Sequence, residues 1–293
     1  MGRPAVGAAL AALVCASSSG IDWHPSWQTA MKAASKSRKV VYVFVYLPGR
    51  ATCAQMDQKS LRDPEVVKAM ASFEAAPVDA STPEGGKFVE VYKLPWIRDP
   101  QRGIKLAVVP NHLFFAPDGK ELHRQVGYIP PIAFRALLQR VLKLRELTDA
   151  VKRSPKDPKL QAQLGHLHLE LNHEDEGRRH LELAIALDPD NRAGAAERAR
   201  LDLAILTVKR DPELGASRLQ AWLDSYPRSP LRMEAEFYLA TAYAAAGRIQ
   251  QADAVLQKFR NAKPGTPEAE SEWGARARAL YKSLHSSEPI GGR

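Results

Sequence analysis

The chain has 293 residues, 45% hydrophobic and 26% charged, with 18 Gly, 21 Pro and 2 Cys. That composition excludes a collagen, a wholly disordered chain and a disulfide-stapled miniprotein, and the length suits two domains. The net charge of +9 is carried by the first half: residues 21–145 hold 19 Lys+Arg against 11 Asp+Glu, and residues 146–293 hold 22 against 22. These basic residues stand singly, with no run of five and no interleaved aromatic platform, which argues against a nucleic-acid partner.

Residues 1–20 read as a secretory signal peptide. Arg3 supplies a positive charge, Ala5 to Ala16 is an apolar stretch of the right length, and small residues follow it. The expected localisation is therefore secreted or periplasmic. Cys15 adds the alternative of a lipoprotein, the only route by which a membrane would become a partner.

Beyond this segment the chain divides near residue 150, into parts expected at 21–147 and 155–285, with a disordered tail at 286–293. In the first part, Ser26 to Lys36 has helical apolar spacing, and Lys39 to Leu47 is a continuous β-branched and aromatic run. A run of that kind predicts a central strand covered on both faces. A second helix is expected from about Thr52 to Met70, with Met56, Leu61, Val66, Val67 and Met70 inward. A strand at Phe73 to Asp79, a helix at Lys87 to Tyr92, and an apolar segment from Leu106 to Pro110 come next. Asn111 to Ala116 and Glu121 to Gly127 then flank Pro117-Asp118-Gly119, a turn in which Pro presets φ and Gly accepts positive φ. A helix from Pro131 to Leu147 closes the part.

Four pieces in this order carry a resemblance: Trp23 with the Ala30/Ala33/Ala34 helix, Cys53-Ala54-Gln55-Met56 with Asp63-Pro64-Glu65-Val66, Val108-Val109-Pro110, and Phe114 to Gly127. Residues 22–144 resemble a thioredoxin-like domain of the secreted bacterial kind, similar to the C-terminal domain of thiol:disulfide interchange transporters. The resemblance implies a Cys-x-x-Cys at the helix start, its first thiolate acting as nucleophile and its second Cys resolving the mixed disulfide. Here the four positions read Arg50-Ala51-Thr52-Cys53, so Arg50 stands where the nucleophile belongs. After removal of the signal peptide no dithiol remains. Cys53 then has three readings: a packed inert thiol, a monothiol whose pKa is lowered by the helix terminus and Arg50, or an odd Cys that pairs with another chain. The resemblance further implies that Pro110 is cis and that Val109 and Pro110 form a peptide-binding lip. Trp96, in the insertion Leu94 to Lys105 with Arg98 and Arg102, is either a contact residue near that lip or a ring packing its own loop.

The second part is amphipathic helix, with Pro189, Pro227 and Pro264 spaced 38 and 37 residues apart. A repeat frame of 34 residues fits Pro158 to Asn191, with Leu164-Gly165, Gly177 and Ala184, and Met233 to Thr266, with Leu239-Ala240, Gly247, Ala252, Leu256 and Pro264. Both frames resemble tetratricopeptide repeats. A longer unit at Arg192 to Arg232 lies between them and a capping helix at Glu268 to Leu284 follows. The fold class expected is an α/β thioredoxin-like domain plus an all-α helical repeat domain.

Contacts to protein or peptide partners are expected on the concave face of the array, at Gln161, His168, Arg198, Asp202 and Glu236. His166, His168 and His173 lack the i, i+4 spacing of a helical zinc site, and no phosphate loop or hydrolase motif occurs, so no metal and no cofactor are expected. The function read from the sequence is a binding or assembly protein with a redox-degenerate module. The alternative is a monothiol exchange protein acting through Cys53.

Overall fold

The computed structural model describes residues 20–98 and 105–286. All but the last residue of the expected signal peptide, Cys15, Arg102 and residues 287–293 lie outside them. The chain divides into two compact units at 149/150. Among the described residues no helix is long and apolar enough to cross a membrane.

In the first unit, helix α1 (Trp27–Ser37) opens with a capping box in which Ser26 and Thr29 each accept the other's backbone N–H, and it ends at Arg38 in the left-handed region. Strand β1 (Val40–Tyr46) follows, buried along its whole length. It lies inside a four-stranded sheet of order β2-β1-β5-β6, parallel to β2 (Phe73–Asp79) and antiparallel to β5 (Asn111–Phe115), which pairs antiparallel with β6 (Glu121–Val126). Alternation parts its faces. Val41, Val43 and Val45 join Ala30, Ala34, Phe88, Leu113 and Phe115 in one core. Tyr42, Phe44 and Tyr46 take the other face, where Tyr42 packs on Phe114 and Phe134.

The helix expected over 52–70 is broken into α2 (Ala51–Gln55), a π-helical turn (Met56–Ser60) and α3 (Pro64–Met70). Pro64 cannot donate back into a preceding turn, and the Asp63 carboxylate accepts from Glu65 N and Val66 N, so the chain starts a new helix there. Met56, Leu61, Val66 and Met70 are nevertheless buried, while Val67 is half-buried. Thr82 caps α4 (Pro83–Val91). Gly85 is obligatory in it, because a Cβ there would stand 1.8 Å from the Asp79 carbonyl oxygen. At the two ends of the insertion, β3 (Trp96–Arg98) pairs antiparallel with β4 (Lys105–Ala107). At the β5–β6 turn Gly119 has φ 88° and donates to Ala116 O. Helix α5 (Pro131–Arg153) runs six residues beyond the expected Leu147.

The second unit is helical. Three hairpins pair α6 (Pro158–Glu170) with α7 (Glu174–Leu187), α8 (Ala195–Val208) with α9 (Pro212–Ser225), and α10 (Arg232–Ala245) with α11 (Ile249–Arg260). The short α12 (Pro267–Glu270) and α13 (Glu272–His285) end the unit. In the first hairpin Gly165 and Gly177 meet so closely that a Cβ at either would lie 3.0 Å from the other's carbonyl oxygen and closer still to Leu181 or Leu169. Successive hairpins are joined by ion pairs 35 or 36 residues apart: His166 to Asp202, Arg198 to Glu234, Lys209 and Arg210 to Glu174, and Arg248 to Glu213. That constant offset is what a stacked helical repeat produces. Ala277 joins Ala240, Leu256 and Phe259 in the last core cluster, so α13 covers the final hairpin.

Candidate functional site

After β1 the chain turns through Leu47 to Gly49, with Gly49 at φ 78° and Arg50 N donating to Leu47 O. Arg50 takes the N-cap position of α2 without a side-chain cap and is exposed. Cys53, one turn further, is only 5% exposed. Burial pushes its thiol above the ordinary cysteine value; a backbone hydrogen bond at Leu47, the Arg50 charge and the Thr52 hydroxyl oppose that shift without overcoming it. The lowered pKa considered from the sequence runs against this direction, because desolvation of the covered sulfur outweighs what the Arg50 charge and the hydrogen bonds give the thiolate. A neutral, covered thiol is a poor nucleophile.

The Val109–Pro110 bond is cis. Thr52 Oγ1 donates to the Val109 carbonyl at 3.3 Å, which brings the Arg50–Cys53 turn and this step together. Pro110 is buried and Val109 half-buried. Asn111 fixes the step from behind: its side chain is fully buried and its amide donates to Val108 O. The β3–β4 pair is tied to the same place, since Val108 N donates to Pro95 O, and Trp96 in that pair keeps 40% of its surface exposed.

His112, which the sequence reading passed over, lies next to this step. It is wholly buried, and its ring bonds to Tyr42 Oη at 2.8 Å and Gly127 O at 3.1 Å. Burial lowers its pKa to about 4, so at neutral pH it is an uncharged imidazole joining β1, β5 and the end of β6. Strand alternation carries the signal, since His112 falls on the face of Tyr42 and Phe44, but a lone histidine in a strand does not announce it.

In the second unit the residues expected to contact partners are largely engaged within the stack, three of them buried and His168 and Arg198 half-buried. Asp202 is 2% exposed, accepts from Arg198 at 2.7 Å and lies 3.0 Å from His166 Nδ1, which the Arg198 guanidinium also approaches at 3.0 Å. Arg198 forks onto both oxygens of the buried Glu234. Glu236, 6% exposed, lies between Arg232 and Lys258. Gln161 is buried between Pro155 O and His180. His168 is half-buried, its ring stacked on His180 and its Nδ1 3.2 Å from His173 Nδ1, so the hairpin gathers three histidines that lie apart in sequence. Among the described residues no group of three or more His, Cys, Asp or Glu could hold a metal ion.

Residues 27–142 match the family model described as a thioredoxin-like domain, and the α/β unit is a domain of that class. The chain is similar to a thioredoxin from Thermus thermophilus, with 26% identity over 42% of this chain and 88% of that one at a TM-score of 0.35. It is also similar to the C-terminal domain of Neisseria meningitidis DsbD in the oxidised form, with 25% identity, coverage of 39% and 90%, and a TM-score of 0.31. No curated protein matches the chain.

Proposed function

We propose that this chain is a secreted or envelope protein that binds protein or peptide partners without dithiol chemistry, joining a redox-degenerate thioredoxin-like module to an array of the tetratricopeptide kind. One observation carries the reading. Arg50 stands where the resemblance puts the attacking thiolate, and Cys53, three residues on, is covered, with its thiol pushed toward the neutral form. Exchange of a disulfide needs an exposed thiolate to attack, and capture without release needs none.

The lip at Val109 and Pro110, with Thr52 and the exposed Trp96 close in the backbone, is the part of the module left for an extended peptide. The hairpin stack offers a preformed surface that a partner meets without ordering much protein. Its buried charges hold that surface in shape, and contact falls to the residues around them. The basic excess of residues 21–145 favours acidic partners, chiefly through association rate.

An insulin-reduction assay on the full chain tests the reading. No turnover above a thiol-free control is expected, and reduction at a rate that disappears in Cys53→Ser would assign monothiol chemistry instead.

A further inference from the structure

Between the aromatic face of β1 and the α2–π-helical segment lies a cavity of ≈ 340 Å³. Phe44, Tyr46, Trp23 and Pro77 form its walls, and Cys53 and Leu61 contribute from the helical side. The sequence explains why it is lined by rings. Val41, Val43 and Val45 occupy the opposite face, so Phe44 and Tyr46 must point here, and the edge strand sets Pro77 opposite Phe44. Trp23 is pinned to that edge by its bridge to Ala75 and by His24 N donating to Ala75 O. The Trp23 and Phe44 ring centroids are 6.5 Å apart and tilted, and Phe44 stacks on Tyr46 at 5.7 Å, so the walls are already arranged.

An apolar cavity of about 150 Å³ stays dry and accepts benzene. This one is roughly twice that size and reaches the range of small-molecule sites, so it suits a body of two fused rings, whose edges meet the tilted walls in the arrangement aromatic pairs favour. The rim carries charge of a particular kind. Asp57 is taken up by Arg62 at 2.9 Å, and Asp79 accepts from the Ser81 hydroxyl at 2.6 Å and from Ser81 N. Arg50, also on the rim, has no side-chain hydrogen bond or ion pair among the described residues. The Arg50 cation is available and Asp57 is ion-paired, whereas Asp79 is hydrogen-bonded through Oδ1 alone and keeps its charge, so the rim suits a ligand with a single negative charge.

We propose that this cavity is a binding site for a small aromatic monocarboxylate, its rings between Trp23, Phe44 and Pro77 and its carboxylate on the Arg50 guanidinium. Arginine at the place of a nucleophile then has a positive role: it recognises the anion that the ring pocket receives. The proposal is separate from partner binding and survives or fails without it.

The test is calorimetric titration of the full chain with 2-naphthoate and with the uncharged 2-naphthalenemethanol. Naphthoate should bind saturably and about fivefold tighter than the alcohol, the scale of one partly exposed ion pair, and Arg50→Gln should erase that difference. Ala54→Trp, at an exposed position on the rim, should abolish binding of both while circular dichroism stays unchanged. Should that variant fail to fold, Gln58→Trp, also exposed on the rim, replaces it. Saturating naphthoate should slow alkylation of the Cys53 peptide read by mass spectrometry. No saturable heat up to about 1 mM naphthoate, equal affinity for acid and alcohol, binding that persists in the rim variant, or an unchanged Cys53 alkylation rate would each overturn the proposal.

Discussion

Replacing Asp202 by Ala separates a structural role from a contact role, because the two predict different losses. The wild-type carboxylate is 2% exposed and serves two partners, Arg198 at 2.7 Å and His166 at 3.0 Å. Removing one member of a buried pair costs about 3–5 kcal/mol when the other charge is stranded. Arg198 is not stranded, since Glu234 holds it through two bonds of 2.7 and 3.0 Å and its side chain keeps 25% exposure. What remains is the loss of two hydrogen bonds to a buried carboxylate, each worth about 1.5–3 kcal/mol at full burial and less here. We expect about 2 kcal/mol, or on the order of 30-fold more opening, read by amide hydrogen exchange in peptides covering 195–208 and 232–245 of the full chain.

The same carboxylate predicts a pH dependence. Burial and the nearby Arg198 charge oppose the charged form of His166, but the hydrogen bond to Asp202 and its field, with a smaller contribution from Glu170, outweigh them and raise the imidazole pKa. A group with a raised folded pKa contributes fully below its unfolded value, about 6.5, and the contribution is lost as pH rises through the folded pKa. Wild-type protection in these helices should therefore decline as pH rises above about 6.5, and Asp202→Ala should flatten the decline. A change under about 0.5 kcal/mol, the size of an ordinary surface substitution, with the pH slope intact would refute the reasoning and return Asp202 to the partner-contacting surface.

The first unit should respond to pH in the opposite sense. His112 has a folded pKa of about 4, below the unfolded value of about 6.5, so its neutral form supports the fold above pH 6.5 and about 3 kcal/mol is lost as pH falls from there toward 4; His112→Phe should weaken that acid sensitivity in hydrogen exchange of residues 40–46 and 111–115. Gly85→Ala should destabilise the first unit by about 3 kcal/mol, because its Cβ would meet Asp79 backbone atoms that cannot move aside, and an unchanged thermal midpoint would contradict the helix placement. Arg50→Cys should give a titratable disulfide with Cys53; if it stays reduced under oxidising conditions, Cys53 does not occupy the resolving position.

What the sequence made legible were features whose cause is local. The continuous apolar run at Lys39 to Leu47 became the fully buried β1, Pro117-Asp118-Gly119 became the β5–β6 turn, and the helices of the second unit begin near the Pro residues and caps that mark them. The broken helix over 51–70 was misread because its apolar period continues through Asp63-Pro64, although that pair is itself a start signal. Asp202 and Glu236 read as surface because charged residues usually are; each has one partner four residues back on its own helix, Arg198 and Arg232, but the second partners, His166 and Lys258, come from other helices, which only the stack reveals. His112 was passed over, and the gathering of His180 with His168 and His173 was not foreseen, for a related reason: a strand register in one case and a helix crossing in the other set them, and neither is written in local spacing.

The central claim, binding without thiol exchange, is tested most directly by affinity capture from a cell-envelope extract with full-length wild type and Cys53→Ser side by side. The account predicts the same retained proteins with both, and none released by reductant. Partners recovered by wild type alone and freed by dithiothreitol, or no specific partner with either chain, would contradict it.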